Sequence, residues 1–312
     1  MRAFIFPGQG SQAVGMGAAL AEASRAARDV FGEVDEALGQ SLSRLMRDGP
    51  EDELKLTENA QPAIMAHSLA VFSALTKEGG VDLRKAANFV AGHSLGEYSA
   101  LCAAGGFGLA TTAKLLKLRG QAMQQAVPVG LGAMCALLGA DLALAKTIAD
   151  AAAQGEVCAV ANDNDPSQVV LSGHKGAIDR AIGLAKEMGA KRAVPLPVSA
   201  PFHCPLMQPA AEAMRDALSY EVLEAPSVLL FANVTAAAED DPDAIRNLLV
   251  EQVTGMVRWR ESVANMVESG VEEFIELGGK VLGPMVKRIA PDAKVTSVVT
   301  IDDIEALAKE IA

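Results

Sequence analysis

The stretch from Asn88 to Tyr98, NFVAGHSLGEY, constrains the fold more than any other part of the chain. Phe89 to Gly92 is a short apolar run of the kind a buried strand makes, and the Ala- and Leu-rich segment from Gly96 to Ala104 is helical in composition, so the chain must reverse sharply at Ser94. Strand, G-x-S-x-G, helix is the arrangement of a nucleophile elbow. Gly92 and Gly96 let the backbone turn without Cβ clashes, the turn lifts the serine hydroxyl clear of the sheet, and the next N–H falls at a helix N-terminus. The pentapeptide alone also occurs in ordinary turns, which favour Gly and Ser. Its flanking strand and helix are what make Ser94 a candidate nucleophile.

At 312 residues, half of them apolar, the chain can bury a large core, and its length favours two domains over one. The formal charge of -12 argues against a nucleic-acid-binding or anionic-membrane surface, since those partners call for basic stripes. No stretch approaches the roughly 18 unbroken apolar residues of a membrane span, and Arg2 to Phe6, followed at once by Pro7-Gly8, is too short for a signal-peptide core. A cytoplasmic location is the expectation. Cys102, Cys135, Cys158 and Cys204 are scattered with no C-x-x-C pair, so neither a metal site nor a disulfide framework is expected.

The first strand, Arg2 to Phe6, runs into Pro7-Gly8-Gln9-Gly10-Ser11-Gln12-Ala13, in which Gly8, Gly10 and Ala13 satisfy the G-x-G-x-x-A dinucleotide fingerprint. That reading requires a second strand ending in an acid about 20 positions on, whereas Asp29 lies inside Ala21 to Leu38, a segment of helical composition. The glycines are better read as a loop that brings backbone N–H groups close to something. Ala60 to Leu75 is a strongly apolar helix that carries His67, and Leu109 to Val127 is an amphipathic one in which Arg119, judged on composition, is a solvated helix arginine.

After Pro128 the pattern changes to strand Ala133 to Leu138, helix Asp141 to Ala153, strand Val157 to Ala161, turn Asn162 to Pro166, strand Gln168 to Ser172, helix Gly176 to Met188 and strand Arg192 to Val198. This β-α-β-β-α-β order is the split βαβ, or ferredoxin-like, unit, whose first and last strands are antiparallel neighbours, as an inserted segment requires. The expected organisation is α/β: a core of residues 1–128 and 199–312 with a parallel, helix-covered sheet, and an insert of residues 129–198.

A serine nucleophile needs a base within hydrogen-bond reach, and the histidines are His67, His93, His174 and His203. His174 sits at a helix entry, where a turn or capping role is expected. His93 adjoins Ser94, and adjacent side chains at a tight turn point different ways, which suits it to a pocket or packing role. His203, in the constrained loop Ser199-Ala200-Pro201-Phe202-His203-Cys204-Pro205, is the best candidate. No acid stands out as a third member, so a Ser-His dyad oriented by another acceptor is the simpler reading.

Five blocks, taken in order, resemble the malonyl-CoA:acyl carrier protein transacylases of fatty acid synthesis: Phe6 to Gln12, Gly92 to Tyr98, Leu118-Arg119-Gly120, Pro201-Phe202-His203 and Glu276 to Leu282. The resemblance implies an α/β-hydrolase-like core interrupted by a ferredoxin-like subdomain. It implies malonyl-CoA and acyl carrier protein as partners, and no cofactor, coenzyme A thioester being a substrate. Ser94 would be the acyl-accepting nucleophile, His203 its general base, and Gln252 the residue whose main-chain carbonyl steadies the histidine. The N–H groups of Gln9 and Leu95 would form the oxyanion hole. Arg119 would hold the malonyl carboxylate, His93 and Asn162 would line the site, and Phe202 resembles its counterpart in malonyl-selecting members. Because carrier proteins are typically acidic and this chain is too, docking needs a local basic patch, for which Lys280, Lys287 and Arg288 are the candidates.

Two other readings remain open from sequence. A serine esterase or thioesterase would release free acid with no thiol acceptor. A noncatalytic acyl-binding subunit would use Ser94 only as a turn residue.

Overall fold

The computed structural model describes residues 1–198 and 200–311. Ser199, the expected first residue of the returning core segment, lies outside them. Among the described residues ten strands follow in chain order: β1 (Arg2–Phe6), β2 (Phe89–Gly92), β3 (Gly132–Leu138), β4 (Cys158–Asp165), β5 (Gln168–His174), β6 (Arg192–Pro195), β7 (Leu229–Ala232), β8 (Ala237–Glu239), β9 (Glu273–Leu277) and β10 (Lys294–Val298). They form two sheets in a mixed α/β molecule.

The larger sheet has the order β10-β9-β1-β2-β7-β8 and is parallel except where β8 turns back on β7. The β1 side chains alternate between two cores: Phe4 and Phe6 pack under the helices Thr57–Ser73, Gly96–Ala103 and Leu109–Ala126, while Ala3 and Ile5 pack with Trp259, Val263 and Leu282 on the opposite face. A strand buried on both faces must be apolar at every position, which is why β1 and β2 read as unbroken hydrophobic runs. The chain adds β2 and β7 on one side of β1, then crosses to place β9 and β10 on the other. In such sheets the crevice at the carboxyl ends of the strands, where the order reverses, is the usual place for a ligand.

The smaller sheet is antiparallel, in the order β4-β5-β3-β6, so β3 and β6 are neighbours and the ends of the segment come together. Its strands also divide their residues by parity. Cys135, Leu137, Val169 and Leu171 are buried under the helices Leu142–Ala153 and Lys175–Ala185, whereas Met134, Ala136 and Val170 face the larger sheet's core.

Several boundaries differ from expectation. The segment Asn162 to Asp165, expected as a turn, continues β4, because the outer edge of that strand is paired: Val257 donates to Ala161 O at 2.9 Å and accepts from Asp163 N at 3.0 Å. Two ion pairs pin the same strand to the larger unit, Asp163 to Arg260 and the fully buried Asp165 to Arg288, each at 2.8 Å. The helical run Ala21 to Leu38 breaks at Ser24, whose side chain caps the helix Arg25–Leu38 by accepting from Ala27 N. Strand β6 stops at Pro195, short of the expected Val198. Among the described residues no helix is long and apolar enough to cross a membrane.

Candidate active site

Strand β2 delivers the chain to Ser94 in the left-handed region, at φ 55°, and the helix Gly96–Ala103 leaves from it. A Cβ on Gly92 would lie 1.9 Å from the backbone of Gly96, and one on Gly96 would lie 2.3 Å from Phe6 O, so neither position admits a side chain. Asn233, just past the end of β7, ties the turn down: its Oδ1 accepts from Ser94 N at 2.8 Å and its Nδ2 donates to Gly92 O at 2.7 Å. The strain of a positive φ at serine is thus held by hydrogen bonds on both sides of it.

His203 arrives from the constrained loop, itself at φ 55°. Its Nε2 lies 2.8 Å from Ser94 Oγ, and its Nδ1 lies 2.8 Å from the main-chain carbonyl of Gln252. A carbonyl can only accept, so Nδ1 carries the proton and Nε2 is left to receive one from the serine. Burial, with the nearby Arg119 cation adding to it, pushes the His203 pKa down to about 3, which keeps the ring neutral and able to act as a base.

Arg119 is 1% exposed, which corrects the composition-based reading of a solvated helix arginine. Its Nη1 donates to Gln61 Oε1 at 2.7 Å, and its Nη2 donates to Gln252 Oε1 at 2.8 Å and to Ser94 Oγ at 3.1 Å. The guanidinium also stands 5.7 Å from the centre of the Tyr98 ring. Its Nε is buried without an acceptor among the described residues. A cation held by neutral amides, with a donor to spare and a reactive hydroxyl beside it, is arranged to receive an anionic group.

These residues open onto a cavity of about 320 Å³ that Gln9, Leu95, His93, Asn162 and Phe202 also line. Neither the N–H of Gln9 nor that of Leu95 has an acceptor among the described residues. His93 Nε2 lies 2.8 Å from Asn164 Oδ1, its ring stands 5.8 Å from that of Trp259, and burial lowers its pKa. The far wall is mostly apolar, built from Met134, Ala136, Val170, Leu196 and Val198. Among the described residues no cluster of side chains could hold a metal ion.

A sequence model of the family described as acyl transferase domain matches residues 3–282. The chain belongs to that family. It is 44% identical over 288 residues to the malonyl CoA-acyl carrier protein transacylase of Escherichia coli K12, covering 92% of each chain. The crystal structure of an acyl-carrier-protein S-malonyltransferase from Bartonella henselae superposes with a TM-score of 0.97 at 51% identity, covering 99% of both chains. A malonyl-transacylase solved in complex with a type II polyketide synthase acyl-carrier protein superposes with a TM-score of 0.95 at 39% identity, again covering 99% of both chains.

Within this acyl transferase fold the structure also brings in residues that sequence reasoning passed over. Gln61 was detectable as an amide at the head of a mostly apolar helix, and Asn233 as a polar residue at the carboxyl end of a parallel strand. Glu97 gave no signal, because an acid in the first turn of a helix is ordinary. The candidate docking cations are all exposed. Lys280 borders a neighbouring groove, Lys287 donates to the Pro291 and Ala293 carbonyls, and Arg288 is paired with Asp165.

Proposed function

We propose that this chain transfers a malonyl group from malonyl-CoA to the phosphopantetheine thiol of an acyl carrier protein through a malonyl ester of Ser94, supplying chain extension in fatty acid or polyketide synthesis. The observation that carries this reading is the position of one serine oxygen, 2.8 Å from His203 Nε2 and 3.1 Å from the Arg119 guanidinium, inside a single cavity. Base, nucleophile and acyl-group counter-charge then meet at one atom.

Ser94 Oγ attacks the thioester carbonyl as His203 Nε2 takes its proton, and the N–H groups of Gln9 and Leu95 stabilise the oxyanion. The C–S bond breaks, and the coenzyme A sulfur takes the proton from His203 and leaves as the thiol. The carrier's thiol then attacks the serine ester, giving its proton to His203, which returns it to Ser94. Arg119 replaces hydration around the malonyl carboxylate: its Nε has no acceptor among the described residues, and its Nη2 donates to Ser94 Oγ, the atom to which the acyl group becomes attached. The mostly apolar far wall disfavours water as a competing acceptor, which is what separates a transferase from a hydrolase. The reaction draws on no cofactor, coenzyme A being a substrate.

On the same reading the larger unit, residues 1–128 and 199–312, is an α/β-hydrolase-like core, and residues 129–198 form a ferredoxin-like insert. The strand order β4-β5-β3-β6, with two helices on one face, supports the second assignment. The enzyme would work in the cytoplasm, with neither nucleic acid nor membrane as a partner. The exposed cations Lys280, Lys287 and Arg288 would meet the acidic carrier.

The test is intact mass after mixing with malonyl-CoA. One malonyl group should appear on Ser94, be lost in Ser94→Ala, and leave when carrier protein is added. Rapid release of free malonate without any thiol would replace the transferase with a thioesterase. No adduct at all would favour a noncatalytic acyl-binding role.

A further inference from the structure

Glu97 is 1% exposed, lies three residues beyond the nucleophile, and has no place in the reaction just described. Its Oε2 accepts two hydrogen bonds, from Gln252 Nε2 at 2.8 Å and from Asn233 N at 3.0 Å. Both donors belong to residues that hold the site. Asn233 ties down the elbow, and Gln252 uses its main-chain carbonyl on His203 and its side-chain Oε1 on Arg119.

A primary amide has one accepting end and one donating end. In Gln252 the donating end is used by Glu97 and by Ser94 O, the latter at 3.0 Å, which turns the accepting end toward Arg119 Nη2. A flipped amide would face the guanidinium with N–H groups, donor against donor, in a buried place where the mismatch is costly. We infer that Glu97 is a positioning residue for acyl-group selection: it fixes the side-chain amide of Gln252 with its oxygen toward Arg119 and so holds the guanidinium where a malonyl carboxylate arrives.

The role needs an acceptor at Oε2 and nothing from Oε1, which is buried and unpartnered among the described residues. Burial raises the Glu97 pKa to about 7, and the neutral acid still presents a carbonyl oxygen to both donors. Glutamine at this position should therefore serve, whereas an apolar side chain of similar length should not.

The inference rests on malonyl transfer as the activity. Its test compares kcat/KM for malonyl-CoA and acetyl-CoA, with carrier protein as acceptor, in wild type, Glu97→Met, Glu97→Gln and Gln252→Met. The malonyl-to-acetyl ratio should fall on the order of tenfold in Glu97→Met and in Gln252→Met, through loss of one hydrogen bond to a charged group, and stay within about threefold in Glu97→Gln. In an Arg119→Ala background Glu97→Met should leave the ratio unchanged, because the link it breaks ends at that guanidinium. If Glu97→Met does not accumulate as folded protein, Gln252→Met reads the same link and must show the fall. A merely structural Glu97 would lower both thioesters in parallel, and a constant ratio in the folded variants overturns the inference. A wild-type chain that transfers no malonyl group would sink the functional reading, and this inference with it. A wild-type malonyl preference that the variants preserve would overturn this inference alone.

Discussion

The two walls of the cavity are built on opposite plans. On the side of the larger sheet, Ser94, His203, Gln252, Arg119, Asn233 and Glu97 are joined in one hydrogen-bonded network, with contacts of 2.8 to 3.0 Å from each to the next. On the side of the smaller sheet, Met134, Ala136, Val170, Leu196 and Val198 offer mostly methyl and methylene groups. A polar network in which most members have partners tolerates few changes, because each group left unpaired in a buried place costs free energy. An apolar wall has no such dependency and tolerates changes of shape. The chemistry should accordingly be brittle on one side and adjustable on the other.

The largest effect should come from Ser94→Ala: transfer reduced on the order of 10⁴-fold or more, with an unchanged unfolding midpoint, read by carrier malonylation and thermal melting. Next is Arg119→Ala. Removing the guanidinium leaves the malonyl carboxylate buried and unpaired, about 3–5 kcal/mol, or roughly 10² to 10³·⁵ in kcat/KM for malonyl-CoA. Acetyl-CoA turnover should stay level or rise, and Arg119→Lys should recover only part of the malonyl activity, lacking the planar fork. A parallel loss for both thioesters would mean that Arg119 acts only in packing.

Acid should weaken the polar side first. Burial lowers His67 from 6.5 to about 4 and His203 from 6.5 to about 3, so between pH 6.5 and 4 the unfolded chain binds protons that the folded chain does not. Stability from these groups is therefore present above pH 6.5 and lost as pH falls. Glu97, raised from 4.5 to about 7, works the other way, since the folded chain takes up that proton first. His93, whose pKa burial also lowers, adds to the two histidines, so against one carboxyl the net should be a loss of stability on the order of 2 kcal/mol or more between pH 7 and pH 5, measured by urea unfolding at the two values. A rise in stability over that window would contradict it. The smallest effect is expected from Leu196→Ala on the apolar wall: less than about tenfold in kcat/KM, and equal for malonyl and acetyl. An effect confined to malonyl would break the division between the two walls.

The strands and helices that carry the site were legible because their signals are local. The elbow, the apolar run of β1 and the β-α-β-β-α-β order each follow from patterns within single short elements. His203 emerged by elimination among four histidines. Arg119 was illegible from composition, because its helix also carries Lys117, which pairs with Glu58 at 3.1 Å near the surface, and only tertiary packing separates the two cations. Asn162 to Asp165 read as a turn because Asn, Asp and Pro dominate turns, whereas their edge partner, Val257, lies far along the chain. Glu97 and Asn233 were invisible as a pair for the same reason.

Strand β4 has one more consequence. Asp163 and Asp165 turn to Arg260 and Arg288, while Asn162 and Asn164 line the cavity between them. Fastening residues and lining residues thus alternate along a single strand, and a slip of one position would exchange them. Two carboxylates would then face the space meant for a carboxylate-bearing acyl group, and two amides would face the arginines. The ion pairs act as a register key: they favour the alignment of β4 in which the cavity stays free of negative charge, and they tie the selectivity of the site to the correct seating of the smaller sheet.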